Sequence, residues 1–233
     1  MERLDKLIAS QGKYSRKEVK GLIARRRVTV DGMPARSPEE KVDQAKVTIA
    51  IDGTPLQIKK NLYLLLNKPA GYVSSTEDHD GACVLELVPE ELYRDGLFPA
   101  GRLDKDTTGM MIITDDGQFA HRILAPKKHV KKQYRVTIDV PVTAQMAVRF
   151  AEGISLTEGL TKPALLEQVD NCVANVTLTE GRYHQIKRMF SACGATVVGL
   201  HRIAMGNLPL PADLPVGEMR ELTPEELQKI QEL

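Results

Sequence analysis

GRLDKDTTGMMIITDDG, residues 101–117, joins a polar, glycine-bounded segment to an apolar run. The apolar half, Met110–Ile113, has the length of a buried strand, and Asp115, Asp116 and Gly117 supply a turn behind it. The polar half carries two carboxylates, Asp104 and Asp106, with Lys105 between them. In an extended or turning segment such a pair points the same way. Aspartates in these places are usually turn formers, so what the pair does depends on what the chain brings to it.

Strand patterns flank this stretch on both sides. Leu62–Leu66 is a buried-strand run ended by Pro69 and Gly71, and GQFAHRILAP reads as one or two helical turns stopped at Pro126. VKKQYRVTIDV alternates, with Tyr134, Val136 and Ile138 on one side. VTAQMAVRFAEG is a helix closed by Gly153, and ALLEQV and ANVTLTEG are strands. HQIKRMFSACG is a helix with its stop at Gly194, and TVVGLHRIAMG returns as a strand. TPEELQKIQEL is a capped helix, with Thr223 and Glu226 framing Pro224. Many strands, few helices and short links predict an α+β domain with a mainly antiparallel sheet over residues 62–233.

The chain of 233 residues has a formal net charge of +1, which hides a division. Residues 1–60 hold 14 Lys/Arg against 8 Asp/Glu, a balance of +6, and the remainder is therefore −5. In the basic segment LDKLIAS places Leu4, Leu7 and Ile8 at helical spacing. YSRKEVKGLIARRR follows, with a capping box at Ser15 and Glu18 and an apolar face of Val19, Leu22 and Ile23. VTVDG and TIAIDG are short strands turning at Asp31–Gly32 and Asp52–Gly53. Lys13, Arg16, Lys17, Lys20 and the run Arg25, Arg26 and Arg27, placed in the last helical turn, make a compact cationic surface suited to phosphate. Tyr14 is the one aromatic residue there, so grip by shape and phosphate is expected rather than base stacking. This segment resembles the S4-type RNA-binding module, with RRRVTVDG its most specific part. The resemblance implies an RNA-binding domain over residues 1–58 that uses Arg16, Lys17, Lys20, Arg25, Arg26 and Arg27. QIKKN, residues 57–61, reads as a polar connector.

Other chemistries lose support. No stretch approaches the roughly 18 apolar residues of a membrane span, and MERLDKLIAS lacks the apolar core of a signal peptide. A cytoplasmic protein is expected. Cys83, Cys172 and Cys193 form no CxxC pair, and His79, His121, His129, His184 and His201 show no metal-ligand spacing, so no metal is expected. GxSxG, P-loop and GxGxxG motifs are missing. A two-carboxylate glycosidase needs its acids about 5–10 Å apart across a sugar, which Asp104 and Asp106 on one tip do not provide. The counterpart of the carboxylates is a cationic set, His184, Lys187 and Arg188, at i, i+3 and i+4, while Ile186, Met189 and Phe190 supply the apolar face. A cation of this kind would keep an aspartate ionised and usable as nucleophile or base.

LNKPAG (66–71), GRLDKDTTG (101–109), KKQYRV (131–136) and EGRYHQIKRMF (180–190) together resemble the RNA pseudouridine synthases of the RsuA/RluA type. HQIKRMF brings the chain nearest to the branch acting on small-subunit ribosomal RNA. The resemblance implies an isomerase that cleaves the bond between ribose and uracil nitrogen, turns the base, and rejoins it through carbon, with no cofactor. It makes Asp104 the catalytic residue, either as nucleophile at C1′ or as base at C2′. Tyr134 would pack on the uracil, Lys187 would pair with the aspartate with Arg188 as the alternative cation, and Arg102 would fill the stack vacated by a flipped uridine. Asp106 would be a turn residue. The implied partner is ribosomal RNA or a pre-ribosomal small-subunit particle, met by a monomer. A large-subunit target, a non-catalytic RNA-binding protein and a base-releasing N-glycosidase are the competing readings, separable by their products.

Overall fold

The computed structural model describes residues 1–76, 81–125 and 130–232; Pro126, His79 and His129 lie outside the described residues. The chain divides into two compact units, Met1–Leu62 with Val88–Leu97, and Tyr63–Leu87 with Phe98–Leu233.

In the first unit, α1 (Leu4–Ala9) and α2 (Arg16–Ala24) carry the expected apolar faces. Leu4, Leu7, Ile8, Val19, Leu22 and Ile23 are buried in one cluster with Val28, Ile49 and Ile51. The capping box is present in both directions between Ser15 and Glu18, an arrangement that stabilises a helix by about 1 kcal/mol. A four-stranded sheet runs in the order β2 (Met33–Pro34), β1 (Val28–Val30), β3 (Ile49–Ile51), β4 (Thr54–Pro55). Both hairpins turn on two residues with positive φ, Asp31 and Gly32 at 50° and 80° and Asp52 and Gly53 at 51° and 76°. That is the twist-matched type I′ geometry that Asp-Gly favours.

The arginine run lies one step later than its expected place. α2 ends at Ala24, Arg25 caps it, and Arg26 takes the left-handed conformation with φ of 55°. Arg26 N–H donates to the Ile23 carbonyl and Arg27 N–H to that of Leu22. This is the Schellman pattern, with arginine where glycine is usual. QIKKN is tied into the first unit: the Lys59 N–H donates to Gln11 Oε1 at 2.9 Å, and Arg94 Nη1 donates to the Lys59 carbonyl at 3.0 Å.

The second unit is built on a sheet with nine strands among the described residues. Its seven main strands are β5 (Tyr63–Lys68), β6 (Thr108–Thr114), β7 (Lys132–Ile138), β8 (Leu165–Asp170), β9 (Val173–Leu178), β10 (Val197–Met205) and β11 (Met219–Glu221). Their spatial order is β8-β9-β7-β10-β6-β5-β11, with Phe98–Pro99 beside β6 and Leu208–Pro209 beside β10. Every pairing is antiparallel except β10 with β6, which is parallel at His201–Thr108 and Arg202–Gly109. The expected α+β class with a mainly antiparallel sheet holds. Lys132, Tyr134, Val136 and Ile138 are the buried row of β7.

Four α-helices among the described residues accompany the sheet: α3 (Gly117–Leu124), α4 (Ala144–Glu152), α5 (Gln185–Ala192) and α6 (Pro224–Gln231). Phe119 and Ile123 of α3 and Ile230 of α6 share a core with Leu65, Met110, Ile112 and Met205. Phe150 of α4 meets Phe190 of α5 with ring centroids 4.8 Å apart. The Asp-Asp-Gly segment is a helix start rather than a free turn. Asp116 caps α3 by accepting from the N–H groups of Gln118 and Phe119, and its other oxygen accepts from the Tyr63 hydroxyl at 2.7 Å. An aspartate before an amphipathic run satisfies orphan helix donors, which a hairpin turn would leave open. Among the described residues no helix is long and apolar enough to cross a membrane.

Candidate active site

β5 and β6 pair so that Lys68 lies opposite Gly109, and the loops at that end of the pair meet. Asp104 opens a β-turn closed by the Thr107 N–H donating to the Asp104 carbonyl at 3.0 Å. The turn is fastened from the LNKPAG side. Lys68 is fully buried, and its Nζ donates to the carbonyls of Pro69 (3.0 Å), Asp104 (3.3 Å), Lys105 (3.3 Å) and Thr107 (2.9 Å). Four carbonyl dipoles replace the water that a buried ammonium loses. Burial still pushes the Lys68 ammonium down to about 8. The Gly71 N–H donates to the Lys105 carbonyl at 2.8 Å, and Ser74 Oγ bonds both the N–H and the carbonyl of Leu103. The sequence pattern of LNKPAG assigns its lysine no role. The available signal was a charge at the end of an otherwise apolar strand.

The cations arrive from the start of α5. Lys187 Nζ is 3.0 Å from Asp104 Oδ2 and 2.7 and 2.9 Å from the two oxygens of Asp106. His184 Nε2 is 3.4 Å from Asp104 Oδ1. The two carboxylates therefore do point the same way, and they share one ammonium. Burial pulls the Lys187 ammonium down, but hydrogen bonds to Asp106 and Asp104 outweigh it and raise its pKa. The hydrogen bond from Lys187 is the main cause that holds the Asp106 carboxyl below its usual range. Asp106 is thus a turn residue that also anchors the lysine.

Arg188 is not part of this cluster. It forms a two-pronged pair with Glu158 at 2.8 and 2.6 Å, and this pair is what brings the Glu158 carboxyl down to about 2. The expected shared direction of His184, Lys187 and Arg188 fails for a geometric reason. His184 is not helical; it precedes α5 in the left-handed region with φ of 48°. Lys187 and Arg188 are consecutive on the helix and so point about 100° apart.

Ala70, Gly71, Asp104, Lys105, Asp106, His184 and Lys187 line an open pocket of about 430 Å³. Tyr134 is not among its lining residues. It is 9% exposed on β7, in register with Arg202 of β10, which is itself in register with Gly109 at the start of β6. Gly109 has φ of 99°, and a Cβ there would overlap the Arg202 backbone, so only glycine fits. Arg202 Nε donates to the Met110 carbonyl at 2.6 Å, and Thr108 Oγ1 is 2.8 Å from His201 Nδ1. Arg102 is exposed two residues before Asp104. Arg16, Lys17, Lys20, Arg25, Arg26 and Arg27 are all exposed in the first unit. Among the described residues no group of three or more His, Cys, Asp or Glu side chains stands together as a metal site.

Two aspartates thus share one lysine beside an open pocket. Residues 62–192 match the RNA pseudouridylate synthase family, and residues 2–47 match the S4 domain. The chain is 46% identical to ribosomal small subunit pseudouridine synthase A of Escherichia coli (strain K12), over 98% of this chain and 99% of that one. It is 43% identical to the RNA pseudouridine synthase YtzG of Bacillus subtilis (strain 168), over 99% and 98%. A crystal structure of a pseudouridylate synthase covers 99% of this chain and all of that one, with a TM-score of 0.69 and 40% identity. With the sheet, the loop and both motif regions in place, the chain belongs to the RNA pseudouridylate synthase family and is an enzyme that isomerises uridine within RNA.

Proposed function

We propose that this enzyme converts one uridine of small-subunit ribosomal RNA to pseudouridine, with Asp104 as the catalytic residue. The observation that carries the assignment of Asp104 is its carboxylate, held at the pocket by backbone bonds and 3.0 Å from Lys187 Nζ. In the reaction the C1′–N1 bond breaks, the uracil turns, and a C1′–C5 bond forms. The C5 proton is then lost and N1 holds one, so no oxidant, metal or cofactor enters the balance. Asp104 acts as nucleophile at C1′ or as base at C2′, and both roles require its negative charge. Lys187 pairs with that carboxylate while Asp106 keeps the lysine in place. Tyr134 packs against the uracil, and Arg102 takes the space of the flipped nucleotide. Arg188 acts one step away, through Glu158 and the segment before α5.

The two stretches of chain divide the work. Residues 1–58 supply RNA affinity through Arg16, Lys17, Lys20, Arg25, Arg26 and Arg27, and residues 62–233 supply the chemistry. The small-subunit target is supported by identity over nearly the whole length to ribosomal small subunit pseudouridine synthase A. The setting is the cytoplasm, the enzyme is a monomer, and the substrate is ribosomal RNA or an assembling small-subunit particle. Carbodiimide mapping of pseudouridine in ribosomal RNA, with and without the gene, tests the reading. One small-subunit position should lose its signal without the gene. Loss from the large subunit would reassign the target, no loss would leave an RNA-binding protein, and an abasic site in place of pseudouridine would make it an N-glycosidase.

A further inference from the structure

We propose that Tyr183 is a stacking platform for an unpaired RNA base next to the reacting uridine. The proposal rests on the reading that the uridine reacts at Asp104. Tyr183 is 74% exposed, the most exposed aromatic side chain among the described residues. A single exposed aromatic residue is ordinarily unremarkable on a protein surface. Here its surroundings are not ordinary.

The Tyr183 ring lies flat on the His184 imidazole, with centroids 3.8 Å apart and planes 18° from parallel. The same imidazole puts Nε2 3.4 Å from Asp104 and lines the pocket. One tyrosine face is therefore covered by a pocket residue, and an exposure of 74% leaves the opposite face to solvent. A base on that face would lie two stacking layers from the imidazole edge that meets Asp104. It is too far out to be the reacting uracil and suitably placed for its neighbour in a single strand.

The backbone presenting the ring is fixed by charged groups. Arg188 Nη1 donates to the Tyr183 carbonyl at 3.1 Å while its guanidinium is held by Glu158. Arg182 donates to the carbonyls of Gly159 (2.8 Å) and Leu160 (2.6 Å), and the Arg182 N–H donates to Gln185 Oε1 at 2.9 Å. His184 is held with φ of 48°, a conformation that is costly for a residue with a Cβ. Strain of this kind persists where surrounding structure enforces it, commonly at ligand clamps. A rigid aromatic ring loses little freedom on binding, and its π-face accepts any base. Arg188, placed away from Asp104, gains a role here as a positioning residue.

The chain has no tryptophan, so Tyr183→Trp introduces a single indole reporter. Deproteinised small-subunit ribosomal RNA should quench that emission by about half or more at saturation confirmed by filter binding, as expected for base stacking. Tyr183→Ala should lower kcat/KM for pseudouridine formation about 5- to 100-fold with an unchanged salt slope, because no phosphate contact is lost. Tyr183→Phe should stay within about twofold of the parent. Unchanged indole emission with RNA bound, or a Tyr183→Ala variant as active as the parent, overturns the proposal. Full pseudouridine formation by Asp104→Asn would overturn the reading of the pocket instead, and the quenching would still report on the stack.

Discussion

The two units use the same kinds of side chain for opposite purposes. In the first unit Lys17, Lys20, Arg25 and Arg26 stand in solvent, and their product is a field. In the second unit four cations have fixed addresses. Lys68 holds four loop carbonyls, Lys187 two carboxylates, Arg188 a carboxylate and a carbonyl, and Arg202 a carbonyl. A field tolerates movement of its sources and is screened by salt. A fixed contact in a partly dry site fails when a partner is lost. The first unit should therefore answer to ionic strength, and the second to pH and to single substitutions.

The largest expected effect is at Asp104. Asp104→Asn keeps size and turn-forming capacity and removes the charge, so the single-turnover rate should fall at least about 10³-fold, or about 4 kcal/mol of barrier, with RNA affinity retained. Asp106→Asn removes one of the lysine's two anchors and should lose at most about tenfold. Tritium release from C5-labelled RNA and filter binding measure both, and equal losses at the two positions would break the distinction between them.

Lys187→Met comes next, with a rate loss of about 10²-fold. It also has a pH signature. Asp106 is depressed in the folded state, chiefly by its hydrogen bond to Lys187. Its contribution to stability is present above the unfolded carboxylate pKa and is lost as pH falls through the lower, folded value. Without Lys187 that contribution is absent at every pH, so acid unfolding followed by circular dichroism should show a lower stability at neutral pH and a shallower fall with acid. Arg188→Met should leave that transition's Asp106 component in place.

Lys68→Met strands four loop carbonyls and should cost about 3 kcal/mol or more of stability in urea. The sign with pH is the same as for Asp106, since a folded pKa below the unfolded one makes stability rise with pH, but the window lies in the alkaline range. Burial brings Lys68 to about 8, below the roughly 10.4 of an unfolded lysine. Between those values the unfolded chain binds more protons, so stability rises with pH. The variant should lose part of that rise, and Lys132, also pushed to about 8 by burial, should keep its share.

The smallest effect is at Arg26. Arg26→Gly relieves a left-handed residue and should stabilise the first unit by up to about 1 kcal/mol. It should also reduce the salt slope of RNA binding by no more than about one unit. Greater stability with an unchanged slope would remove Arg26 from the RNA surface.

Much of this was legible from the chain itself. Period-two and helical patterns gave the strand of Tyr134, Val136 and Ile138, the capped helices at Ser15 and Thr223, and the glycine stops at Gly153 and Gly194, because each is governed by neighbours within a few residues. The Asp-Gly hairpins followed from φ preferences alone. Local chemistry also placed Asp104 and Lys187 on separate motifs that the family resemblance joined.

What the sequence could not supply was the partner of each charge. Lys68 and the Asp104 turn are more than thirty residues apart, and only the β5–β6 pairing makes that lysine a clamp. Arg188 reads as a neighbour of Lys187, yet helix geometry turns it to Glu158 and thence to Tyr183. Asp106 reads as turn chemistry, and the lysine 81 residues away makes it an anchor as well. Periodicity and capping are short-range and are written in order along the chain. Charge pairing is decided by which side chains folding brings within about 3 Å of each other, and that is a property of the tertiary structure.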